Sequence, residues 1–531
     1  MTLNLPFEVL YILHRLNEAG YESFLVGGAI RDLIMNFEPE QVKDFDFATN
    51  ASPSQIQTVF RDSFYENKFG TVSITYENLI EEIATKYQLP TKSFVDSVQK
   101  KKIQKNRIID LKNAKKIHAS LKDKAACLSQ KTIKESLNTS TYIPPFEITT
   151  YRSDENYLDH RRPENVTLRK SIAEDLQRRD FTINALAITL DKNYLQEIFT
   201  HKKLQAFYVI DKEKYTLIDL HHGQEDLEKR IIRTVGNADQ RFSEDALRML
   251  RAVRLAVQLN MDIETDTYFA IKYHKDLLKF ISVERIRDEL LKILSSDNPA
   301  KGIELLDQTG LLPNIIPELY QGVGMQQKGH HTTDVWTHSI DSLRYCPSQD
   351  PIVRLAALLH DIGKPLSYKE ENDEITFYNH DILGSRIASK IANRLHLSKK
   401  DVQRIFILVR YHMFNYQANY SDASIRRFIR KVGLENIDDI LDLREGDRLG
   451  SGAKKTSWRL EEMKKRIIEQ LNQPMDLNDL AIDGNDLMQA LAIKPGPLLG
   501  KILNQLLEKT LEDPSLNQKE LLLAQAKKLL G

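Results

Sequence analysis

The chain has 531 residues, enough for about three or four domains, and its 75 Lys plus Arg are balanced by 75 Asp plus Glu. Net charge therefore excludes a uniformly basic or acidic protein, and any nucleic-acid surface must come from local clusters. The two cysteines, Cys127 and Cys346, form no CxxC pair, which argues against a disulfide framework or a zinc ribbon and fits a reducing, cytoplasmic compartment. The N-terminal MTLNLPFEVLYILHRLNEAG lacks a basic leader and a long apolar run, so it reads as an amphipathic helix rather than a signal peptide. No stretch of about 20 apolar residues occurs, so no membrane partner is expected.

In chain order, residues 1–75 read as helix, strand, helix, strand. Phe24-Leu25-Val26 is a short buried strand ending in Gly27-Gly28, and a helix starts at Ala29. Phe45-Asp46-Phe47 alternates as a strand with one solvated face does. Ser52-Pro53 is a helix-start signal, and TVSITY over Thr71–Tyr76 is a strand. Residues 77–145 carry 14 Lys/Arg against 7 Asp/Glu and no glycine, and read as a basic, partly helical insert. FEITTY over Phe146–Tyr151 resumes strand character. The simplest topology is a hairpin of TVSITY and FEITTY with the insert at its tip, where insertions are best tolerated. After an αβ segment around RRDFTINALAITL the chain is mostly helical to about 320. Residues 325–450 are rich in His and Asp on helical patterns, and the last 80 residues are polar and helical.

Three clusters carry chemistry. In the first, Gly27-Gly28 is followed by Asp44-x-Asp46, sixteen residues after Gly28. Two carboxylates two apart on a strand share a face and suit Mg²⁺, which takes carboxylates plus substrate phosphates. Two such ions can activate a 3′-hydroxyl and hold leaving pyrophosphate. The glycine pair lets backbone N–H groups approach a triphosphate, and Arg31 one turn later adds charge-assisted bonds. Taken alone, each piece also fits a solvated strand or a plain turn. The second cluster is Arg178-Arg179-Asp180 before an apolar stretch, which by itself also fits a helix-terminal ion pair. The third is SEDALRMLRAVR over Ser243–Arg254. Ala246, Met249, Leu250, Val253 and Val257 share an apolar helix face. Arg248, Arg251 and Arg254 form a stripe on the other side, suited either to phosphate and base edges or to ion pairs along a solvated face.

A fourth constellation is His338, His360-Asp361 and Asp447, with His380 and His412 between them. Histidine and aspartate on facing helices are a common way to build a metal site in a bundle.

The ordered set LVGGAIRD, KDFDFATNA, RRDFTINALA, RFSEDALRMLRAVR and SVERIRDELLKIL resembles class II tRNA nucleotidyltransferases and the related bacterial poly(A) polymerases over about residues 20–320, apart from the insert. DGNDLMQALAIKPGPLLGKIL resembles the tail of CCA-adding enzymes. HTTDVWTHSI, LAALLHDIGK, FYNHDILGS, VRYHM and EGDRLG resemble HD-domain phosphohydrolases over about 325–450.

The resemblance implies an α+β protein. A nucleotidyltransferase head (1–190, with the insert at 77–145) has a mixed sheet like that of DNA polymerase beta. An all-α neck and body (191–324), an all-α HD domain (325–450) and a helical tail (451–531) follow. By the same resemblance, Asp44 and Asp46 bind catalytic Mg²⁺, and Gly28, Arg31 and Arg179 contact the nucleotide with Asp180 near the ribose. Asp245 and Arg248 read the base, with Arg251 and Arg254 continuing the face. His338, His360, Asp361 and Asp447 hold a divalent ion (Ni, Mn, Co or Mg), with His380 and His412 as additional ligands.

An acceptor-only aspartate and a donor-only arginine match the pairing edges shared by cytosine and adenine, and leave polar groups unpaired against uracil or guanine. The substrates implied are tRNA, CTP and ATP, with no nucleic-acid template. Tyr151–Pro163 looks like the flexible loop to which the family's switch from C to A is attributed, which argues against a CC-adding enzyme. The HD resemblance implies phosphatase and 2′,3′-cyclic phosphodiesterase activity. An A-adding enzyme or poly(A) polymerase with a degenerate HD domain is the alternative. An RNA-binding scaffold is disfavoured because both carboxylates and all the arginines are intact. LHHGQEDL has one glycine where relatives often show two. The sequence carries no signal for an oligomeric state.

Overall fold

The computed structural model describes residues 2–38, 42, 44–65, 70–87, 145–157, 163–168, 171–200, 205–327, 333–371, 374–414, 416–417, 419–455 and 457–530. The chain divides into two compact units. One comprises Met1–Ala252 and Asn260–Phe280, the other Val253–Leu259 and Ile281–Gly531.

The first unit is built on a mixed sheet. Its strands are β2 (Ser23–Val26), β3 (Asp46–Thr49), β4 (Phe64–Tyr65), β5 (Thr71–Ile74), β6 (Phe146–Thr150), β9 (Leu186–Leu190) and β11 (Tyr215–Asp219), in the order β11-β9-β2-β3-β6-β5-β4. β3 and β6 are parallel, whereas β2 pairs antiparallel with both β3 and β9. The expected hairpin is present: β5 pairs antiparallel with β6, Val72 opposite Ile148. β1 (Leu3–Pro6) and β10 (Phe207–Ile210) form a separate ribbon.

Four local expectations change. Tyr76–Lys86 is a helix whose Leu79, Ile80 and Ile83 are buried, so the segment expected as insert from residue 77 begins with a piece of the head's own core. The remainder of that insert, 88–144, lies outside the described residues. β3 is central in the sheet, and Phe47, Ala48 and Thr49 are all buried, so neither face of it is solvated. The stretch read as a flexible loop, Tyr151–Pro163, contains the strand β7 (Arg152–Tyr157), which pairs antiparallel with β8 (Pro163–Leu168), a strand that begins at the last residue of the stretch. The sheet also runs past residue 190, because β11 pairs with β9.

One turn shows how the chain tolerates a missing glycine. In LHHGQEDL the helix Gly223–Lys229 is entered through His222 at φ 59° and ψ 34°, a left-handed conformation that glycine adopts most easily.

The helix Leu247–Gln258 follows its amphipathic pattern. Ala246, Met249, Leu250, Val253 and Val257 are all buried. Among the described residues, the second unit is helical apart from a small ribbon, Lys369–Glu371 with Glu374–Thr376. Its last helices, Gly484–Leu491, Pro497–Glu512 and Lys519–Leu530, close around Leu487, Leu506, Leu507, Leu511 and Leu522. The expected architecture, a mixed sheet with helices followed by helical domains, is the one observed. Among the described residues no helix is long and apolar enough to cross a membrane.

Candidate nucleotide site and candidate metal centre

The first site is organised by the end of β2. Gly27 stands at φ 79° and ψ −142°, and the helix Gly28–Ile34 begins directly after it. A Cβ on Gly27 would lie 2.8 Å from Arg179 Nη1 and 3.7 Å from Asp46 Oδ2. The turn thus brings the backbone against two of the expected site residues at a point where no side chain fits.

Asp46 opens β3 opposite Val26. Burial pushes its carboxyl up to about 6, against the pull of the Arg179 and Arg251 charges, while the Asp44 charge adds to the rise. Asp44 precedes the strand and is exposed, so the pair is not set on one strand face as expected. Its charge is felt at Asp46 and also at Asp32, whose carboxyl is raised chiefly by burial.

The arginines converge from separate elements. Arg31, on the helix after the glycine pair, donates to Asp32 and to Asn184 Oδ1, each at 2.7 Å. Arg179 donates to the Asn184 carbonyl (3.3 Å) and pairs with buried Asp175, to which Arg178 is also tied. Arg251 pairs with Asp180 at 2.6 Å. Burial alone would raise the Asp180 carboxyl, but the charges of Arg251 and Arg248 hold it below the usual carboxylate range.

Asp245 sits with extended backbone at the break between the helices Ala238–Glu244 and Leu247–Gln258, where it accepts from the Leu247 amide. Arg248 is gripped by Glu244 (2.8 Å) and by the carbonyls of Arg241 and Arg178 (3.1 and 3.0 Å). These contacts fix the planar fork of Arg248, whose backbone amide also donates to the Asp245 carbonyl at 3.0 Å.

Asp46, Gly28, Arg31, Arg179, Asp180, Asp245, Arg248 and Arg251 therefore all belong to the first unit. Arg254 does not join them. It belongs to the second unit, where its Nε meets buried Glu289 at 2.6 Å and its Nη1 meets Gln258. Sequence reasoning passed over Asp175, Glu244 and Asn184 as site residues. The signal available for Asn184 was a polar residue inside the apolar stretch FTINALAITL.

The second site lies in the second unit. His338 is on the helix Val335–Tyr345 and Asp447 on Ile437–Gly450. These helices can approach closely because a Cβ on Gly446 would stand 2.5 Å from the Ser342 carbonyl, and one on Gly450 2.6 Å from the Ser342 nitrogen. His360 caps the helix Pro351–Leu359, Asp361 follows it, His380 opens His380–Arg394 and His412 caps Lys399–Tyr411. Four of these six residues thus stand at helix ends or just past them.

All six come together. His338 Nε2 lies 3.2 Å from His360 Nε2 and 3.3 Å from both Asp361 Oδ2 and Asp447 Oδ1. The other Asp361 oxygen, Oδ1, faces His380 at 3.5 Å and His412 at 3.7 Å. Two groups with metal-ligating geometry result, His338-His360-Asp361 and Asp361-His380-His412, and they share Asp361.

Carbonyls orient the rings. The Nδ1 atoms of His360, His380 and His412 each meet a backbone oxygen, of Ala357, Phe377 and Val409, at 2.7–2.8 Å. A ring that donates through Nδ1 presents a lone pair at Nε2, the form a metal requires. Burial opposes charge on Asp361 and Asp447. The electrostatic influence of His360, together with Lys364 at Asp361, nevertheless holds Asp361 well below the usual range, and the His338 hydrogen bond with the influence of His360 holds Asp447 below it. Burial would lower His338, but hydrogen bonds with Asp361 and Asp447 outweigh it and lift the imidazole to about 9. The centre is an anionic pocket that gathers positive charge. Lys364 Nζ, 2.6 Å from Asp361 Oδ2, supplies part of it.

A head carrying clustered carboxylates and arginines, followed by helical units, defines a nucleotidyltransferase class of protein. The Poly A polymerase head domain family matches residues 23–123 and 96–233. The family described as "Probable RNA and SrmB-binding site of polymerase A" matches 260–321, and tRNA nucleotidyltransferase domain 2 matches 383–526. The chain is 33% identical over 358 residues to the A-adding tRNA nucleotidyltransferase of Deinococcus radiodurans, spanning 65% of this chain and 76% of that protein. It is 29% identical over 497 residues to the CCA-adding enzyme of Limosilactobacillus reuteri, spanning 93% and 90%. Its fold is similar to that of the Bacillus stearothermophilus CCA-adding enzyme crystallised with CTP, with a TM-score of 0.59 at 23% identity over 98% of this chain and 96% of that one. The chain belongs to the class II family of CCA-adding enzymes and poly(A) polymerases.

Proposed function

We propose that this protein completes the 3′-CCA end of tRNA from CTP and ATP without a nucleic-acid template. The observation that carries this reading is the convergence, within one unit, of Asp46 and Arg179 at Gly27 and of Arg31, Arg179 and Asp180 at Asn184. In this reading Asp44 and Asp46 hold Mg²⁺, whose bound form would activate the RNA 3′-hydroxyl and neutralise the departing pyrophosphate. Arg31 and Arg179 bind the triphosphate, and Gly28 lets the backbone approach it. Asp180 lies on the ribose side. Asp245 accepts from the amino group that cytosine and adenine share, and Arg248 donates to the neighbouring ring nitrogen. Arg254, engaged by Glu289, is left out of the nucleotide contacts. Related CCA-adding enzymes crystallised with CTP or with tRNA support these partners by name.

The A-adding relative from Deinococcus radiodurans favours a second reading, in which only the terminal A is added. Supplying single labelled nucleotides to tRNA lacking its end, ending in C or ending in CC separates the two. Incorporation of C onto the first substrate supports CCA addition, whereas addition of A to the last alone supports the second reading.

The histidine–aspartate centre is assigned to hydrolysis of phosphate esters, including 2′,3′-cyclic phosphates at RNA ends. The donor set fits a divalent cation such as Ni, Mn, Co or Mg. Two carboxylates stay anionic, and three histidines have Nδ1 held by carbonyls. A bound divalent ion lowers the pKa of its water and supplies hydroxide for attack at phosphorus. Cyclic-phosphate hydrolysis that survives His360→Ala would refute the assignment.

A further inference from the structure

The Arg31, Arg179 and Asp180 side chains come from two elements far apart in sequence, yet one residue touches all three. Asn184 ends a single 3-10 turn, Thr182–Asn184. Its Oδ1 accepts from Arg31 Nη1 at 2.7 Å, its Nδ2 donates to Asp180 Oδ1 at 3.2 Å and its carbonyl accepts from Arg179 Nη1 at 3.3 Å. Asn184 is buried. A carboxamide alone among side chains of this size accepts at one end and donates at the other in a fixed plane. It therefore joins a cation to an anion at a set separation, and Arg251 extends the chain of contacts on the far side of Asp180 at 2.6 Å.

The turn is held independently of this amide. Thr182 Oγ1 donates to Asp226 Oδ2 at 2.6 Å, the Thr182 amide donates to the Arg233 carbonyl at 2.9 Å, and a Cβ on Gly223 would meet the Thr182 carbonyl at 2.4 Å. The side chain of Asn184 is thus presented by a backbone anchored from the other side.

The geometry points to Asn184 as a positioning residue for nucleotide binding, one that sets the Arg31 guanidinium against the Asp180 carboxylate through its two amide ends. Arg31 then meets the triphosphate and Asp180 the sugar in fixed register, whichever base is bound. The inference rests on the nucleotidyl-transfer reading of this site. An aspartate at position 184 would keep the acceptor for Arg31 and replace the donor with a second anion facing Asp180.

The test is a double-substitution cycle on the full chain, reading CTP affinity by titration and transfer kinetics on tRNA lacking its end. Asn184→Ala, which removes the side-chain hydrogen bonds to both Arg31 and Asp180, is expected to weaken CTP and ATP alike by about tenfold or more. In an Arg31→Ala background the same change should cost no more than about twofold, because the two residues act as one. Asn184→Asp should lower the preference for CTP over 2′-deoxy-CTP several-fold, an effect that general destabilisation would not produce. Independent, multiplicative losses in the cycle overturn the inference, as does an unchanged preference in Asn184→Asp. Absence of transfer by the unaltered protein would instead defeat the parent reading, and the CTP titration still judges Asn184.

Discussion

Replacing Gly27 by alanine tests the site at its tightest point. The residue stands at φ 79° and ψ −142°, a region essentially reserved for glycine. Holding a side chain there costs about 1–3 kcal/mol. The new Cβ would sit 2.8 Å from Arg179 Nη1, well inside van der Waals contact, and 3.7 Å from Asp46 Oδ2. Part of the strain is relieved only if the Arg179 guanidinium moves away from the Asn184 carbonyl and from Asp46. Gly27→Ala should therefore lower the midpoint of urea unfolding and reduce nucleotide transfer by at least tenfold, beyond what the lost stability explains at temperatures where the protein stays folded. Gly28→Ala is the control. Its Cβ would meet only the Arg31 guanidinium, at 3.3 Å, and it occupies a helix start with no positive φ. It should cost less in both assays. A Gly27→Ala protein with the parent's midpoint and rate, or a Gly28→Ala protein that suffers more, would refute the argument.

Three further outcomes are expected. Arg248→Lys keeps the charge but loses the planar fork held by Glu244 and two carbonyls, so discrimination of CTP and ATP against UTP and GTP should fall in single-nucleotide incorporation assays; unchanged selectivity would show that Arg248 does not read the base. Metal analysis of protein purified with Mn²⁺ or Ni²⁺ should find up to two ions per chain in the second unit, both lost in Asp361→Ala and one in His380→Ala, while nucleotide addition persists in both variants; identical metal content in all three proteins would argue against Asp361 as a shared ligand. The Asp442 carboxyl is pushed up to about 7, first by burial and then by the charges of Glu445, Asp438 and Asp439. Because its folded pKa exceeds its unfolded one, its contribution is full below pH 4 and is lost as pH rises through 7. Asp442→Asn should then be more stable than the parent at pH 8, by a margin that shrinks progressively towards pH 4. A gain independent of pH in thermal unfolding would contradict this.

Local chemistry made several features legible in the sequence. The apolar spacing of Ala246, Met249, Leu250, Val253 and Val257 is a helical repeat, and all five are buried. β-Branched and aromatic runs marked the β5–β6 pair across a gap of more than seventy residues. The six His and Asp residues of the second unit could be named from residue type and spacing, since few other side chains ligate metals.

The rest depended on what lies beside each residue in space. Arg248, Arg251 and Arg254 are equivalent along the helix, but only tertiary packing supplies Glu244 to the first, Asp180 to the second and Glu289 to the third. Nothing local in Tyr151–Pro163 separates a loop from a paired strand, because strand pairing is a contact between segments. The division of labour between the two oxygens of Asp361, and the dual contact of the Asn184 amide with Arg31 and Asp180, are relations among distant segments that periodicity does not encode. Sequence by itself determined which side chains could do the chemistry. Tertiary structure decided which of them meet, because ion pairs and ligand geometries act over about 3 Å while the residues that make them lie tens to hundreds of positions apart.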